Sequence, residues 1–139
     1  MRCILIVYLL LLYTFASGQT LMIFGGDRND VYLGKLNASE YDSESIWNEY
    51  GSYGSSYSST SIWNEYSSYG SDYSSYSPFN EYATHPPVIV DAKGNFYGYF
   101  TVNKYKPKRA EFKLALIIYQ YYEQIRDDVS AWYDEIFSY

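Results

Sequence analysis

The chain has 139 residues and a formal net charge of −6 at pH 7, and 20 of its residues are tyrosine. This length allows one modest domain. With one cysteine and one histidine, His85 beside a proline pair, the chain offers little for nucleophilic catalysis, and we expect a protein that is not an enzyme.

Residues 1–18 have the order of a cleavable signal peptide. Arg2 supplies a positive start, residues 3–13 are apolar, and small residues follow, with Ala16 and Gly18 at positions −3 and −1 of the predicted cleavage site. The apolar run is shorter than the roughly 20 residues that span a bilayer. Cleavage would remove the only cysteine, so the mature chain would have no disulfide and no transmembrane segment. We therefore expect a secreted protein, extracellular or periplasmic.

Residues 41–88, the repeat segment, contain three copies of a 16-residue sequence. The first two copies agree at twelve of sixteen positions, and the third diverges after Tyr82, as a terminal copy does when its outer face has no neighbour. Each copy is predicted to hold a single helical turn, a glycine turn and a short extended stretch. Its bulky residues are expected to be structural anchors: Ile46, Ile62, Trp47, Trp63 and Phe79. The alternative is a low-complexity linker.

The segments that flank the repeats predict a small antiparallel sheet and a helix. Apolar and aromatic runs at 31–36, 88–90 and 96–102 predict three strands, with the repeats inserted between the first and the second. Apolar spacing of three and four over 108–137 predicts one long amphipathic helix, with a break near 128–130 as the alternative. The predicted fold class is α+β, with a signal peptide at 1–18, a β-rich repeat module at 19–105 and a C-terminal helix at 106–139.

The motifs of residues 31–105 occur in a specific order: YLGKLN, repeated SIWNEY and YGS, SPFNEYA, PPVIVD and GNFYGYFTVNKY. This series resembles a family of small, mostly bacterial, exported proteins with Tyr/Ser-rich repeats and no assigned function. The resemblance implies a folded module. It implies no catalytic or binding residues, and it does not extend to the C-terminal helix.

Three residues recur in each copy as candidate binding groups. Exposed aromatic rings at a fixed period stack on sugar faces, while amides and carboxylates bind hydroxyls or calcium. A surface glycan, a protein partner and a calcium ion are therefore the alternatives, and Trp47, Trp63 and Phe79 would join the surface only if they pointed outward. The recurring residues are Tyr50, Tyr66, Tyr82, Asn48, Asn64, Asn80, Glu49, Glu65 and Glu81.

The charge distribution argues against one class of partner, and the length of the predicted helix suggests another. The basic residues at 104–113 are few and lie in a predicted exported protein, so we expect no nucleic-acid binding. The apolar stripe of the long helix predicts self-association with another copy. A structural, adhesive protein that becomes ordered on assembly is the competing functional class. Asn37 begins a glycosylation sequon, which matters only in a eukaryotic secretory pathway.

Overall fold

The computed structural model describes residues 19–138, so the predicted signal peptide lies outside the described residues. The fold is α+β. None of the helices in residues 19–138 combines the length and the apolar character needed to cross a membrane. In chain order the elements are β1 (Leu21–Gly25), β2 (Val31–Lys35), β3 (Val88–Asp91), β4 (Phe96–Tyr99), α1 (Lys113–Asp127) and α2 (Val129–Phe137).

The sheet has four antiparallel strands in the order β2-β1-β3-β4. The prediction of three strands is wrong, because residues 21–25 form a central strand that pairs with both β2 and β3. The side chains of Ile23, Leu33 and Ile89 are fully buried beneath it. The repeat segment leaves from the edge strand β2 and returns to the sheet at β3.

A glycine in each edge strand lets the following chain pack directly against that strand. Gly34 and Gly98 have φ of +101° and +124°, a region that side-chain-bearing residues rarely adopt. A Cβ atom at Gly34 would lie 2.8 Å from the carbonyl oxygen of Glu44, and one at Gly98 would lie 2.8 Å from that of Lys108. Both positions therefore require glycine, since the backbone approaches too closely for any side chain.

The hairpin between β3 and β4 is organised by one carboxylate. Asp91 accepts hydrogen bonds from the side chain of Asn95 at 2.9 Å, from the backbone N–H groups of Lys93 and Asn95, and from the Tyr97 hydroxyl. These donors favour the ionised form, and the Asn95 side chain contributes most, so the pKa of Asp91 is lowered to about 2. An ionised Asp91 thus stabilises the turn.

The repeat segment consists of consecutive hydrogen-bonded turns. Residues 41–87 contain no helix, so the prediction of single helical turns is wrong. Between residues 39 and 77 most turns advance the chain by three residues, with a backbone N–H donating to the carbonyl three positions earlier. A four-residue step follows Gly51 and again follows Ser67. Four steps of three and one step of four make up the 16-residue period.

Serine and asparagine side chains satisfy the backbone inside these turns. In each case the first residue of a turn accepts a hydrogen bond from the N–H two residues later, as in Asx and Ser/Thr turns. Twelve amides between residues 41 and 82 are satisfied in this way, eleven of them by serine or asparagine and one by Asp42. The short polar side chains therefore replace the hydrogen-bonding partner that a neighbouring strand would supply.

Buried aromatic side chains form a column through the three copies. The ring centroids of Trp47 and Trp63 lie 5.6 Å apart, and those of Trp63 and Phe79 lie 5.9 Å apart. The indole N–H of Trp47 donates to Leu36 O, and that of Trp63 donates to Ile46 O, each at 2.7 Å. Each copy is thus one coil stacked on the coil before it.

Two helices cover this column from its Phe79 end to its Trp47 end. The Tyr122 ring of α1 stacks on Phe79 with centroids 4.4 Å apart, and Phe137 of α2 contacts Trp47 at 5.5 Å. The prediction of one long helix is wrong, and the break lies at Asp128, within the alternative left open. Asp128 has non-helical φ and ψ of −154° and 82°, and its side chain accepts from the N–H of Ala131. It therefore ends α1 and caps α2.

The indole hydrogen bonds between coils give a first prediction. We expect Trp63→Phe to lower the free energy of unfolding by about 1–3 kcal/mol, because the buried carbonyl of Ile46 loses this donor. Chemical denaturation measures the effect. The control is Trp132→Phe, at a half-buried position on α2, which should lower the free energy of unfolding by less. Equal costs at the two positions would contradict the coil-to-coil role of the indole.

The carboxylate of Asp91 gives a second prediction, on pH dependence. Because the pKa of Asp91 is lowered in the folded protein, its stabilising contribution is present above the unfolded value near 4 and is lost as the pH falls toward 2. We expect Asp91→Asn to lower the Tm at pH 7 and to flatten the fall in Tm between pH 4 and pH 2. Thermal melts across that range measure it. Asp134→Asn, on the exposed face of α2, should leave the profile unchanged.

Candidate functional site

Two rows of tyrosines stand out from the turns of the repeat segment. Each occupies the third position of a turn, where its backbone N–H is bound by the serine or asparagine that opens the turn. The scaffold therefore fixes the backbone of these residues and leaves their rings in solvent. The first row is Tyr41, Tyr57 and Tyr73 and the second is Tyr50, Tyr66 and Tyr82, and all six side chains are 81–92% exposed.

Equivalent residues of successive copies line two grooves between the rows. Groove 2, of about 420 Å³, lies between Tyr57 and Tyr66 and is also lined by Trp63, Asn64 and Glu65. Groove 3, of about 370 Å³, is lined by the residues that lie sixteen positions after those of groove 2 in the sequence. They are Tyr73, Phe79, Asn80, Glu81 and Tyr82. A groove with two tyrosine walls and an asparagine and a glutamate inside is therefore repeated along the surface.

A third groove continues the series toward the first copy. Groove 1, of about 500 Å³, contains Glu49 and Tyr50 and shares Tyr57, Arg126 and Asp127 with groove 2. Because the side chain of Tyr57 belongs to both, the two grooves adjoin. The three grooves follow the C-terminal half of α1.

Arg126 of α1 joins groove 2 to groove 3. Its guanidinium donates to Asp72, a residue of groove 3, at 3.1 Å and to Gly70 O at 3.1 Å, and it pairs more distantly with Glu65 at 3.4 Å. It also lies over the Tyr122 ring, 5.2 Å from the centroid. With a side chain that is only 10% exposed, Arg126 holds the helix against the second copy, to which all three of these partners belong.

The grooves carry a negative balance. Arg126 is the only cation among the residues lining the three grooves, and two carboxylates already engage it. A hydrogen bond from the Tyr82 hydroxyl to Glu81 raises the pKa of this tyrosine, because the carboxylate favours the protonated phenol. The acidic residues of the grooves are Glu49, Glu65, Glu81, Asp72 and Asp127.

The residues predicted from the sequence fall into three groups in the structure. Tyr50, Tyr66 and Tyr82 are exposed walls of the grooves, and Glu49, Glu65 and Glu81 are exposed beside them. The asparagines are structural: Asn48, Asn64 and Asn80 each accept from the N–H of the tyrosine two residues later and donate to a carbonyl six residues earlier. Asn64 and Asn80 also line grooves 2 and 3. The anchors are at most 3% exposed: Ile46, Ile62, Trp47, Trp63 and Phe79.

A fourth turn of this kind was missed by the sequence analysis. Asn103 Oδ1 accepts from the N–H of Tyr105 at 3.0 Å, and the Tyr105 side chain is 91% exposed. The N–H of Val102 donates to Pro78 O at 2.8 Å, which stacks this turn on the third copy. The signal in the sequence is the spacing Asn-x-Tyr, with Lys104 standing where the copies have glutamate.

A separate, more apolar groove lies between the two helices. It has a volume of about 620 Å³ and contains Ile117, Tyr121, Trp132 and Ile136. The rings of Tyr121 and Trp132 stack with centroids 5.0 Å apart, so the helices cover part of the predicted apolar stripe themselves. Self-association through the remainder of the stripe stays a prediction.

The groove carboxylates are spread along the surface rather than gathered. Within residues 19–138, no group of three acidic, histidine or cysteine side chains is placed to hold a metal ion. His85 is exposed and contacts the hydroxyl of Thr84 through Nδ1 at 2.9 Å. The dominant feature of this surface is therefore the repeated aromatic groove.

Comparisons with known proteins give no indication of function, so any functional argument rests on the geometry of these grooves. No family model, no curated protein and no solved structure matches the chain. The family resemblance over residues 31–105 therefore stays a prediction.

Proposed function

We propose that the protein is a secreted, non-catalytic binding module whose tyrosine-walled grooves bind a surface polysaccharide. The observation that supports this function best is that the same groove occurs twice, sixteen residues apart, between exposed tyrosines. Each groove is within the range of about 300–1,000 Å³ that is typical of small-ligand sites. Each pairs aromatic rings with a few polar groups, as sugar recognition requires.

The chemistry of the grooves suits a sugar ring better than an apolar ligand. Tyrosine offers a flat face for the C–H groups of a sugar and a hydroxyl for its oxygens. Asn64 and Asn80 lie inside the grooves with their amides fixed by the backbone, and the exposed carboxylates of Glu65 and Glu81 can accept hydrogen bonds from sugar hydroxyls. Little conformational freedom is lost on binding, because the turns already fix the backbone of these tyrosines.

The alternative of a structural protein that orders only on assembly has less support. An aromatic column with two indole hydrogen bonds, covered by two helices, gives a single chain its own core. The exposed tyrosines then serve as a presented surface on a folded body. A protein partner would also use such rings, so the test compares polysaccharide binding with the oligomeric state.

The proposed function predicts loss of polysaccharide binding when the groove tyrosines are truncated. We expect the triple variant Tyr50→Ala, Tyr66→Ala, Tyr82→Ala to bind insoluble cellulose, chitin or cell-wall material at least about tenfold more weakly than the wild type. Depletion of the purified protein from solution measures the affinity. All three side chains are more than 80% exposed, so the fold should be unaffected.

The matched control removes tyrosines that are equally exposed but lie outside the three grooves. The double variant Tyr41→Ala, Tyr105→Ala should bind like the wild type. Equal binding by the triple variant and the wild type, or no binding of the wild type to any polysaccharide, contradicts the proposed function. Analytical ultracentrifugation of the same variants shows whether the tyrosines instead govern association between copies.

A further inference from the structure

We propose that the ligand is one linear, neutral polysaccharide chain that runs across grooves 1, 2 and 3 in succession, with grooves 2 and 3 acting as equivalent subsites. This inference rests on the proposed function and specifies its ligand. It concerns the shape and the charge of the glycan, and each follows from a separate observation.

The shape follows from the way in which the grooves adjoin. Tyr57, Arg126 and Asp127 belong to both groove 1 and groove 2, so a ligand can pass between these grooves without leaving the surface. Grooves 2 and 3 share no lining residue, but Arg126 of groove 2 forms an ion pair with Asp72 of groove 3 at 3.1 Å, so these two grooves lie side by side. The grooves therefore form a trough along α1, and a ligand that fills a trough is a chain.

The repetition of the subsites also favours a polymer with a short repeating unit. Six lining residues of groove 2 have counterparts exactly sixteen positions later in groove 3, among them both tyrosine walls. The coils that carry these grooves are stacked with ring spacings of 5.6 and 5.9 Å along the column. Two equivalent subsites on successive coils match a ligand whose own units are equivalent, and a homopolysaccharide has this property.

The charge of the ligand follows from the groove lining. Five carboxylates line the trough, whereas its one cation is already paired with Glu65 and Asp72. A chain of uronic acids or sulfated sugars would place like charges beside these carboxylates at a cost that no free cation offsets. A neutral chain uses the same carboxylates as acceptors for its hydroxyl groups.

The experiment measures affinity against chain length. Isothermal titration of the wild-type protein uses two neutral series, the β-1,4-linked oligomers of glucose and of N-acetylglucosamine from one to eight units, and an oligogalacturonate series as the charged counterpart. For at least one neutral series we expect affinity to rise with each added unit, by about two- to tenfold, and to level off once the chain spans the trough. The oligogalacturonates should bind more weakly at every length.

Single variants test the order of the subsites. Tyr82→Ala removes a wall of the terminal groove and should make the affinity level off at a shorter chain length. Tyr57→Ala removes the wall that grooves 1 and 2 share, and it should lower the affinity for chains of every length above one unit. Tyr41→Ala, equally exposed but outside the trough, is the control and should leave the curve unchanged.

Each outcome bears on one proposal. If neutral polysaccharide binds but monomers bind as tightly as octamers, or if the oligogalacturonates bind best, the trough is overturned while the proposed function stands. If insoluble polysaccharide is not bound at all, the proposed function itself fails. If the affinity rises with length and Tyr82→Ala shortens the rise, the continuous trough is supported.

Discussion

The structure depends on a hydrogen bond between a short polar side chain and the backbone two residues ahead. A segment built from turns has no neighbouring strand to satisfy its amides, and unpaired buried amides are costly. Serine and asparagine at the first position of most turns provide the missing acceptor, and the third position can then carry a large side chain. Depending on where the turn lies in the coil, that side chain is a buried tryptophan or an exposed tyrosine. The unusual composition is thus a consequence of the local backbone geometry.

This arrangement links stability to binding without assigning both to the same residues. Trp63 and Phe79 form the column that holds the coils together, while Tyr66 and Tyr82, three residues further along, are solvent-exposed. The asparagine between each pair serves both purposes, because it fixes the turn and lines the groove. From α1, Arg126 adds ion pairs to Glu65 and Asp72 at this surface. Exposed rings can therefore be replaced with little effect on the core, which makes the binding proposals open to direct test.

Much of the fold could be predicted from the sequence, and the errors have physical causes. The exact recurrence of Trp47, Trp63 and Phe79 marked residues that the structure places in the core. The helical turns were predicted wrongly because a serine that caps a three-residue turn makes the same hydrogen bond as a serine that begins a helix. Residues 21–25 were missed as a strand because their pairing partners are a hairpin neighbour and a segment more than sixty residues away. The first error reflects a local ambiguity, and the second reflects a tertiary effect.

The tyrosine rows were visible in the sequence, whereas the grooves were not. A groove needs its opposite wall, and Tyr57 and Tyr66 belong to one groove only because of how the coil bends between them. Arg126 lies more than fifty residues from the carboxylates that it binds, and no local pattern indicates this pairing. The break at Asp128 shows the same dependence, because it lets α2 reach the Trp47 end of the column.

The spacing of the stacked coils constrains how such a protein can change in length. Rings of successive coils lie 5.6 to 5.9 Å apart, close to the 5.4 Å pitch of an α-helix. Along α1, Tyr122 meets the third coil and Arg126, one helical turn later, reaches the second. An added coil of sixteen residues would therefore leave its aromatic edge uncovered unless α1 gained about one turn, or roughly four residues. Variants of this architecture with more copies should show paired insertions, sixteen residues in the repeats for about four in the helix.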